Sequence, residues 1–427
     1  MHFKPFAFGL FSRISGQILR AAAYTIVFAS TLPVMGQDLA CKAKQVQAPS
    51  GSRNALSPEK LRQHVFTLAS AEFGGRSGKT AHPTIAYIEK SFESAGLKPG
   101  FAQGYRQPVI QASSGKVIGT NLAAMVEGTD PALKDEWIIL SAHWDHLGQI
   151  SAKAEAAKAG DGGPNPGKGK VYAGADDNAS GVAMLLETAA WFARPENRAK
   201  RSMLFVAFDL EEFGLFGSRH FAANSPVPMD RIRLFMTADM IGRSLSGICR
   251  EWVFVIGSER LPRSRTWISS AAADRPIRAG LLGTDLVGVR SDYGPFMTKK
   301  VPYLFFSTGE SEVYHTPEDR PETIDYAKLH QIAELIRETA ALAASDTAPG
   351  MWKDQPEPAP EELTVIASVL EAIGSPESGL KLGGLQKTTI ERTLDKIRGL
   401  VAKGGAVSES ERRAIVRAAQ FLMFTAL

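Results

Sequence analysis

The chain has 427 residues, 44% of them hydrophobic and 22% charged, an ordinary balance for a well-cored globular protein of one large α/β domain with appendages, or of two domains. The formal charge is +4, but Lys4, Arg13 and Arg20 all precede the first acid, Asp38, so loss of the first 36 residues lowers it by three to +1. The basic excess belongs largely to the amino terminus, which argues against nucleic acid as a partner, and two cysteines (Cys41 and Cys249) are too few for a disulfide scaffold or a thiolate metal site.

Residues 1–36 read as an export signal. Arg13 and Arg20 precede or open an apolar run, Ala21–Met35, which is shorter than the roughly 20 residues a membrane-spanning helix needs. Cleavage is predicted after Gly36, giving a periplasmic or secreted protein. Membrane attachment would require the segment to stay uncleaved or Cys41, in "DLAC", to be lipidated. Residues 37–57 are polar and read as a linker.

A helix is predicted to start at Ser57-Pro58-Glu59, with Ser57 as cap, Pro58 at its first position and Leu61, Val65 and Leu68 on one face. "AEFGGRSGKT" has the look of a phosphate loop, but Phe73 stands where the pattern needs glycine and no strand precedes it, so that reading is rejected. A second helix, near Thr84–Ala95, ends at Gly96. Apolar runs then mark strands at Asn121–Val126, Trp137–Ser141, Met203–Phe208, Leu234–Ala238, Trp252–Ile256 and Tyr303–Phe306. Helical patterns fall at Val182–Ala193, Gly217–Ala223, Arg263–Ala273 and Tyr326–Ala344, and "DGGPNPGKGK" (161–170) reads as a surface loop. Near-continuous apolar strands alternating with helices predict an α/β fold, a mostly parallel mixed sheet covered on both faces. This domain is drawn from 58 to 347. A linker, 348–360, leads to a small C-terminal helical extension, 361–427, with helical patterns at 361–373, 387–403 and 408–425 whose apolar stripes read as packing faces.

Chemistry-bearing residues collect after the strands. Trp137–Ser141 runs into His143, Asp145 and His146, and Met203–Phe208 into Asp209, Glu211 and Glu212. Leu234–Ala238 runs into Asp239, and Tyr303–Phe306 leads to Tyr314 and His315. The stretch "GADDNASG" (174–181) opens the helix at Val182. In open α/β sheets, ligand sites lie outside the carboxyl ends of the strands, so these segments predict one convergent site. Histidines among carboxylates, without thiolate, suit zinc and also admit manganese or cobalt. The ligand count suggests two ions sharing one aspartate of "GADDNASG", which relieves the repulsion between its neighbouring acids.

Taken in order, "HWDHLG", "GADDNASG", "DLEEFG", "DMIG", "RSDYGPF" and "YHTPED" resemble the motifs of the dizinc M28 aminopeptidase family, over roughly residues 58–345 and including "FGGRSG". The resemblance implies a zinc-peptidase/phosphorylase-like fold and an exopeptidase that hydrolyses the N-terminal bond of peptides with two Zn2+ ions. It implies that His143 and Asp239 hold one ion, Glu212 and His315 the other, and Asp177 both. Glu211 would be the general base, Asp145 the carboxylate that orients His143, and Tyr314 a donor to the oxyanion. Tyr293 departs from the histidine that many relatives have, which bears on pocket shape. His146, His220, Asp209 and Asp292 read as structural. The competing readings are a carboxypeptidase or dipeptidase on the same scaffold, with Arg243 or Arg290 receiving the substrate carboxylate, a glutaminyl cyclase, and a non-catalytic binding module.

Overall fold

A computed structural model describes residues 55–78, 81–149, 170–404 and 407–427. The expected export signal, Cys41, nearly all of the first linker and nearly all of the loop expected at 161–170 lie outside the described residues. Among the described residues no helix is long and apolar enough to cross a membrane.

The first helix is Pro58–Leu68, with proline at its start and the Ser57 side chain accepting a hydrogen bond from the Lys60 amide at 3.2 Å. Leu61, Val65 and Leu68 are buried, as their spacing requires. Among the described residues nine strands build the main sheet: β1 (Lys98–Pro99), β2 (Arg106–Ile110), β3 (Val117–Val126), β4 (Trp137–His143), β7 (Ser202–Phe208), β8 (Ile232–Ala238), β9 (Trp252–Ile256), β10 (Arg278–Leu282) and β11 (Tyr303–Ser307). The short strands β5 (Gly148–Gln149) and β6 (Val171–Tyr172) pair separately. The order is β1-β3-β7-β4-β8-β11-β9-β10, with β2 also on β3. Its centre, β7-β4-β8-β11, is parallel throughout, while β3 and β9 flank it antiparallel. The fold is therefore a mixed sheet with a parallel core.

Alternation along the strands assigns their side chains to two buried layers. Leu140, Phe205, Met236 and Phe306 point to one layer, with the helices Pro58–Leu68, Gly181–Ala193, Ser264–Ala272 and Tyr326–Ser345. Ile139, Val206, Phe235 and Phe305 point to the other, with the helices Phe216–Ala223, Tyr293–Thr298, Glu362–Gly374 and Glu409–Ala426.

The apolar stripe Leu363, Ile366, Leu370 and Ile373 thus packs on the sheet itself, in the same cluster as Phe254, Ile256 and Leu282. Gly280 in β10 permits the approach: a side chain there would meet Val365 Cγ1 at 2.9 Å. Arg412, on the helix Glu409–Ala426, makes paired bonds to Asp285 at 2.6 and 2.8 Å and to Glu362 at 2.6 and 2.8 Å. Glu362 in turn accepts the Gly283 amide at 2.8 Å. Charge and apolar burial therefore join the last helices to the sheet edge. Leu370→Ala should cost on the order of 2–5 kcal/mol and shift one cooperative urea transition. A separate early transition, leaving the rest unmoved, would show that the tail folds independently.

Candidate metal centre

Because β7, β4, β8 and β11 are parallel, their carboxyl ends share one rim. His143 is the last residue of β4, Asp239 follows β8, and Glu211 and Glu212 follow β7. Tyr314 and His315 lie in the connection after β11. Asp177 lies in the segment Ala175–Ser180, every residue of which is buried, ahead of the helix Gly181–Ala193; its peptide bond to Asn178 is cis.

These residues form two groups joined at Asp177. His143 Nε2 is 3.3 Å from Asp177 Oδ1 and 3.2 Å from Asp239 Oδ1. His315 Nε2 is 3.2 Å from Asp177 Oδ2 and 3.1 Å from Glu212 Oε2. A tetrahedral ion with bonds of ~2.0 Å holds its ligand atoms about 3.3 Å apart, a separation close to each of these four contacts. The His315 contacts have the length of hydrogen bonds but not the angles: its buried Nε2 makes none. Imidazole and carboxylate are also the donor set zinc takes.

His146 sits closer to this chemistry than its sequence context suggests. Its Nδ1 is 2.6 Å from Glu212 Oε1 and 3.8 Å from Asp177 Oδ2. His146, Asp177 and Glu212 therefore also satisfy the spacing of a metal-binding group. The short contact occupies Glu212 Oε1 and leaves Oε2 facing His315, an arrangement that orients the glutamate.

The electrostatics ask for positive charge. Burial alone would depress the His143 pKa, but the Asp239 and Glu211 carboxylates lift it well above the usual imidazole range. Burial opposes a charged His315 too, yet Asp177 and Glu212 push it up to about 10. Asp177, conversely, is held well below the carboxylate range, since His146, His143 and His315 outweigh its burial. Burial, seconded by Asp239, Asp292 and Asp145 against the opposing pull of His143, raises Glu211 well above the usual glutamate value. Burial first, then Asp177 and Glu212, keeps the Tyr314 hydroxyl protonated, and its ring stacks on His315 at 3.8 Å.

Three polar devices hold the segments in place. Arg76, in "FGGRSG", is wholly buried and donates to five backbone carbonyls: Trp144 at 2.8, Leu68 at 3.0, Ala173 at 2.6, Gly174 at 2.8 and Asp177 at 3.1 Å. Asp319, the last residue of "YHTPED", accepts the Asp176 amide at 3.0 and 3.1 Å and the Asp177 amide at 3.1 Å, and is paired with Arg243 at 2.9 Å. Asp145 accepts the Glu211 amide at 3.0 Å and the Glu212 amide at 3.3 Å. Its carboxylate stands 3.6 Å from His143 Nδ1, whose nearer partner is the Asp145 carbonyl at 3.2 Å. The turn that brings both glutamates to the site begins before them, at Leu210 with φ +58°, and runs on to Gly214, with φ +103°, whose amide donates to the Glu211 carbonyl at 2.9 Å. Asp176 faces away from the two groups, accepting the Gly242 amide at 2.6 Å, and burial beside Asp319 raises its pKa to about 7.

Asp177, Glu211, Glu212, Asp239 and Tyr314 open onto one cavity of about 1110 Å³. Tyr293 does not line it. Its ring stacks on Tyr303 and Phe305, both at 5.0 Å, and its hydroxyl bonds the Gly288 carbonyl and the Arg290 amide, so it shapes the lining loop 286–290 from behind.

Two outcomes follow from this geometry. Arg76→Met, which strands five carbonyls, should lower stability by on the order of 3–5 kcal/mol; an unchanged unfolding midpoint would show that the loops do not need the guanidinium. Zinc titrated into stripped protein at pH 7 should release protons. The neighbouring carboxylates favour the charged forms of His143 and His315, and imidazoles bind metal only when neutral. Binding without proton release would contradict the charge balance.

The sequence model of Peptidase family M28 matches residues 121–340. Aminopeptidase YwaD of Bacillus subtilis is 32% identical over 177 residues, which are 40% of this chain and 37% of that protein. A glutaminyl-peptide cyclotransferase of Drosophila melanogaster is 28% identical over 196 residues, 40% of this chain and 55% of that one. The chain thus spans between about a third and just over half of the length of these curated relatives. In architecture it is similar to a solved Zn-dependent exopeptidase from Parabacteroides distasonis, with a TM-score of 0.52 and 21% identity over 67% of this chain and 98% of that one. The family match spans the parallel strands, the segment around Asp177 and the residues that converge on it: this chain belongs to Peptidase family M28.

Proposed function

We propose that the chain is a zinc-dependent exopeptidase that releases the N-terminal residue of peptides, with two ions sharing Asp177. The observation that carries this reading is the pair of ligand-spaced groups, His143–Asp177–Asp239 and His315–Asp177–Glu212, meeting at the two oxygens of one aspartate. The family and its zinc-dependent relatives support the choice of metal. Bound there, the ions would supply a water of lowered pKa and an electrophile for the carbonyl.

The remaining steps belong to side chains. Glu211, whose pKa burial raises above the usual glutamate value and so nearer the working pH of a base, takes the proton of the attacking water and hands it to the departing amine. Tyr314 stays protonated beside the site and donates to the oxygen that becomes negative. Asp145 fixes the backbone of the base and of its neighbouring ligand together.

The rival readings are less well served. For a carboxypeptidase, Arg243 would have to receive a carboxylate, but its guanidinium is already bound to Asp319 and to the Thr323 and Arg320 carbonyls. That leaves Arg290, which lines the cavity 3.9 Å from Glu310. A glutaminyl cyclase reading has support in the cyclotransferase relative, and metal stoichiometry separates it. A non-catalytic module would not be expected to keep both ligand groups and Glu211. The amino-terminal sequence supports export to the periplasm or medium.

Chelation should abolish turnover, and zinc should restore it with a plateau at two ions per chain. Full activity with one ion would overturn the shared aspartate. Glu211→Gln should retain both metals and lose about 10²–10⁴-fold in kcat; unimpaired turnover removes Glu211 as base. Peptides with free amino termini should be cleaved and amine-blocked ones spared, and the reverse pattern would sink the N-terminal assignment.

A further inference from the structure

The cavity does not end where the family match ends. Its metal-site end is formed by Asp177, Glu211, Glu212, Asp239 and Tyr314, but its far wall is Leu286, Ile366, Val369, Leu370, Met423 and Phe424. Three of these six lie on the helix Glu362–Gly374 and two on the helix Glu409–Ala426, and these five lie beyond residue 340, outside the residues matched by the family. At about 1110 Å³ the cavity is larger than the ~300–1,000 Å³ of ordinary ligand pockets. Polar groups on the far wall are already engaged: Gln420 donates to the Asp285 and Leu286 carbonyls at 2.8 and 3.2 Å, and Asp285 is bound by Arg412. Hydrocarbon is therefore what that wall has to offer. Val289 and Phe424 carry the apolar lining out to the surface, 45% and 80% exposed.

We propose that the last helices form half of a substrate channel, and that the preferred substrate carries next to its scissile bond an apolar group longer than any amino-acid side chain. The length has two chemical sources, an alkyl chain or a run of apolar residues. The channel takes its direction from the proposed metal site, which fixes the reacting end; its apolar half stands on the lining alone.

The test is a chain-length series. Unbranched primary amines from butyl to decyl are titrated calorimetrically into the zinc-stripped full-length chain, where the acidic end receives the ammonium and the channel the alkyl tail. Affinity should rise about fourfold per methylene through decyl, the equivalent of ~0.8 kcal/mol per buried CH2. A gain that stops at butyl or pentyl, or no binding at all, overturns the channel. Trileucine amide against decylamine distinguishes the sources, tighter binding of one identifying the group accommodated. Val369→Trp and Met423→Trp should flatten the series beyond hexyl while leaving butylamine binding within twofold; an unaltered series in both variants shows that the tail is not the wall. Hydrolysis of zinc-loaded alanyl and 2-aminodecanoyl reporters separates this inference from the proposed activity. A length-dependent series with neither reporter cleaved leaves the channel standing and sinks the exopeptidase. Cleavage of both without a length-dependent series does the opposite.

Discussion

Buried carboxylates repel, and here Asp177, Glu211, Glu212 and Asp239 are gathered at one end of a cavity. Unpaired acids in such a place are costly, so the architecture must force them together and something cationic must hold them. The forcing is topological: four parallel strands release their chains at one rim, and the segment around Asp177 is pressed onto it. The holding is shared between three imidazoles, whose pKa relations with Asp177 show how strongly the site seeks positive charge, and the fixed guanidinium of Arg76 beneath it. Arg76 serves twice, as counter-charge and as a clamp on the carbonyls of three separate segments. The ions proposed for the site complete a balance that the polypeptide leaves in deficit.

Much of this was legible in the sequence because it is written in local patterns. The strands β4, β7, β8, β9 and β11 are near-continuous apolar runs, and the apolar stretch bounds each to within two residues. The helix from Pro58 declares itself by its cap and proline. Strand β10 is not legible in this way, because "RAGLL" opens with arginine, alanine and glycine. It forms because Gly280 lets a distant helix close over it, which no local window contains.

The same distinction separates the site residues. His143, Asp177, Glu212, Asp239 and His315 could be read from strand ends and motifs, and their side chains do converge. The role of Arg76 could not, because its five acceptors come from residues 68, 144, 173, 174 and 177, and only folding brings them to one point. His146 looked structural because nothing in "HWDHLG" says which glutamate it will meet. The turn at Leu210 was hidden for another reason. A leucine at φ +58° is an unfavourable choice that tertiary contacts impose, so residue type points away from it. The apolar stripes of the tail announced burial without saying that one edge of them faces a cavity.

Asp145 joins two functions that chemistry would otherwise keep separate. One carboxylate grips consecutive amides, those of the proposed base and of the proposed ligand beside it. The two glutamates are consequently one mechanical unit, and a displacement that retunes the acidity of the first also redirects the second. Natural variation in this protein's pH behaviour would then have to arise around the pair, in neighbours such as Asp292 that alter the field without moving the backbone.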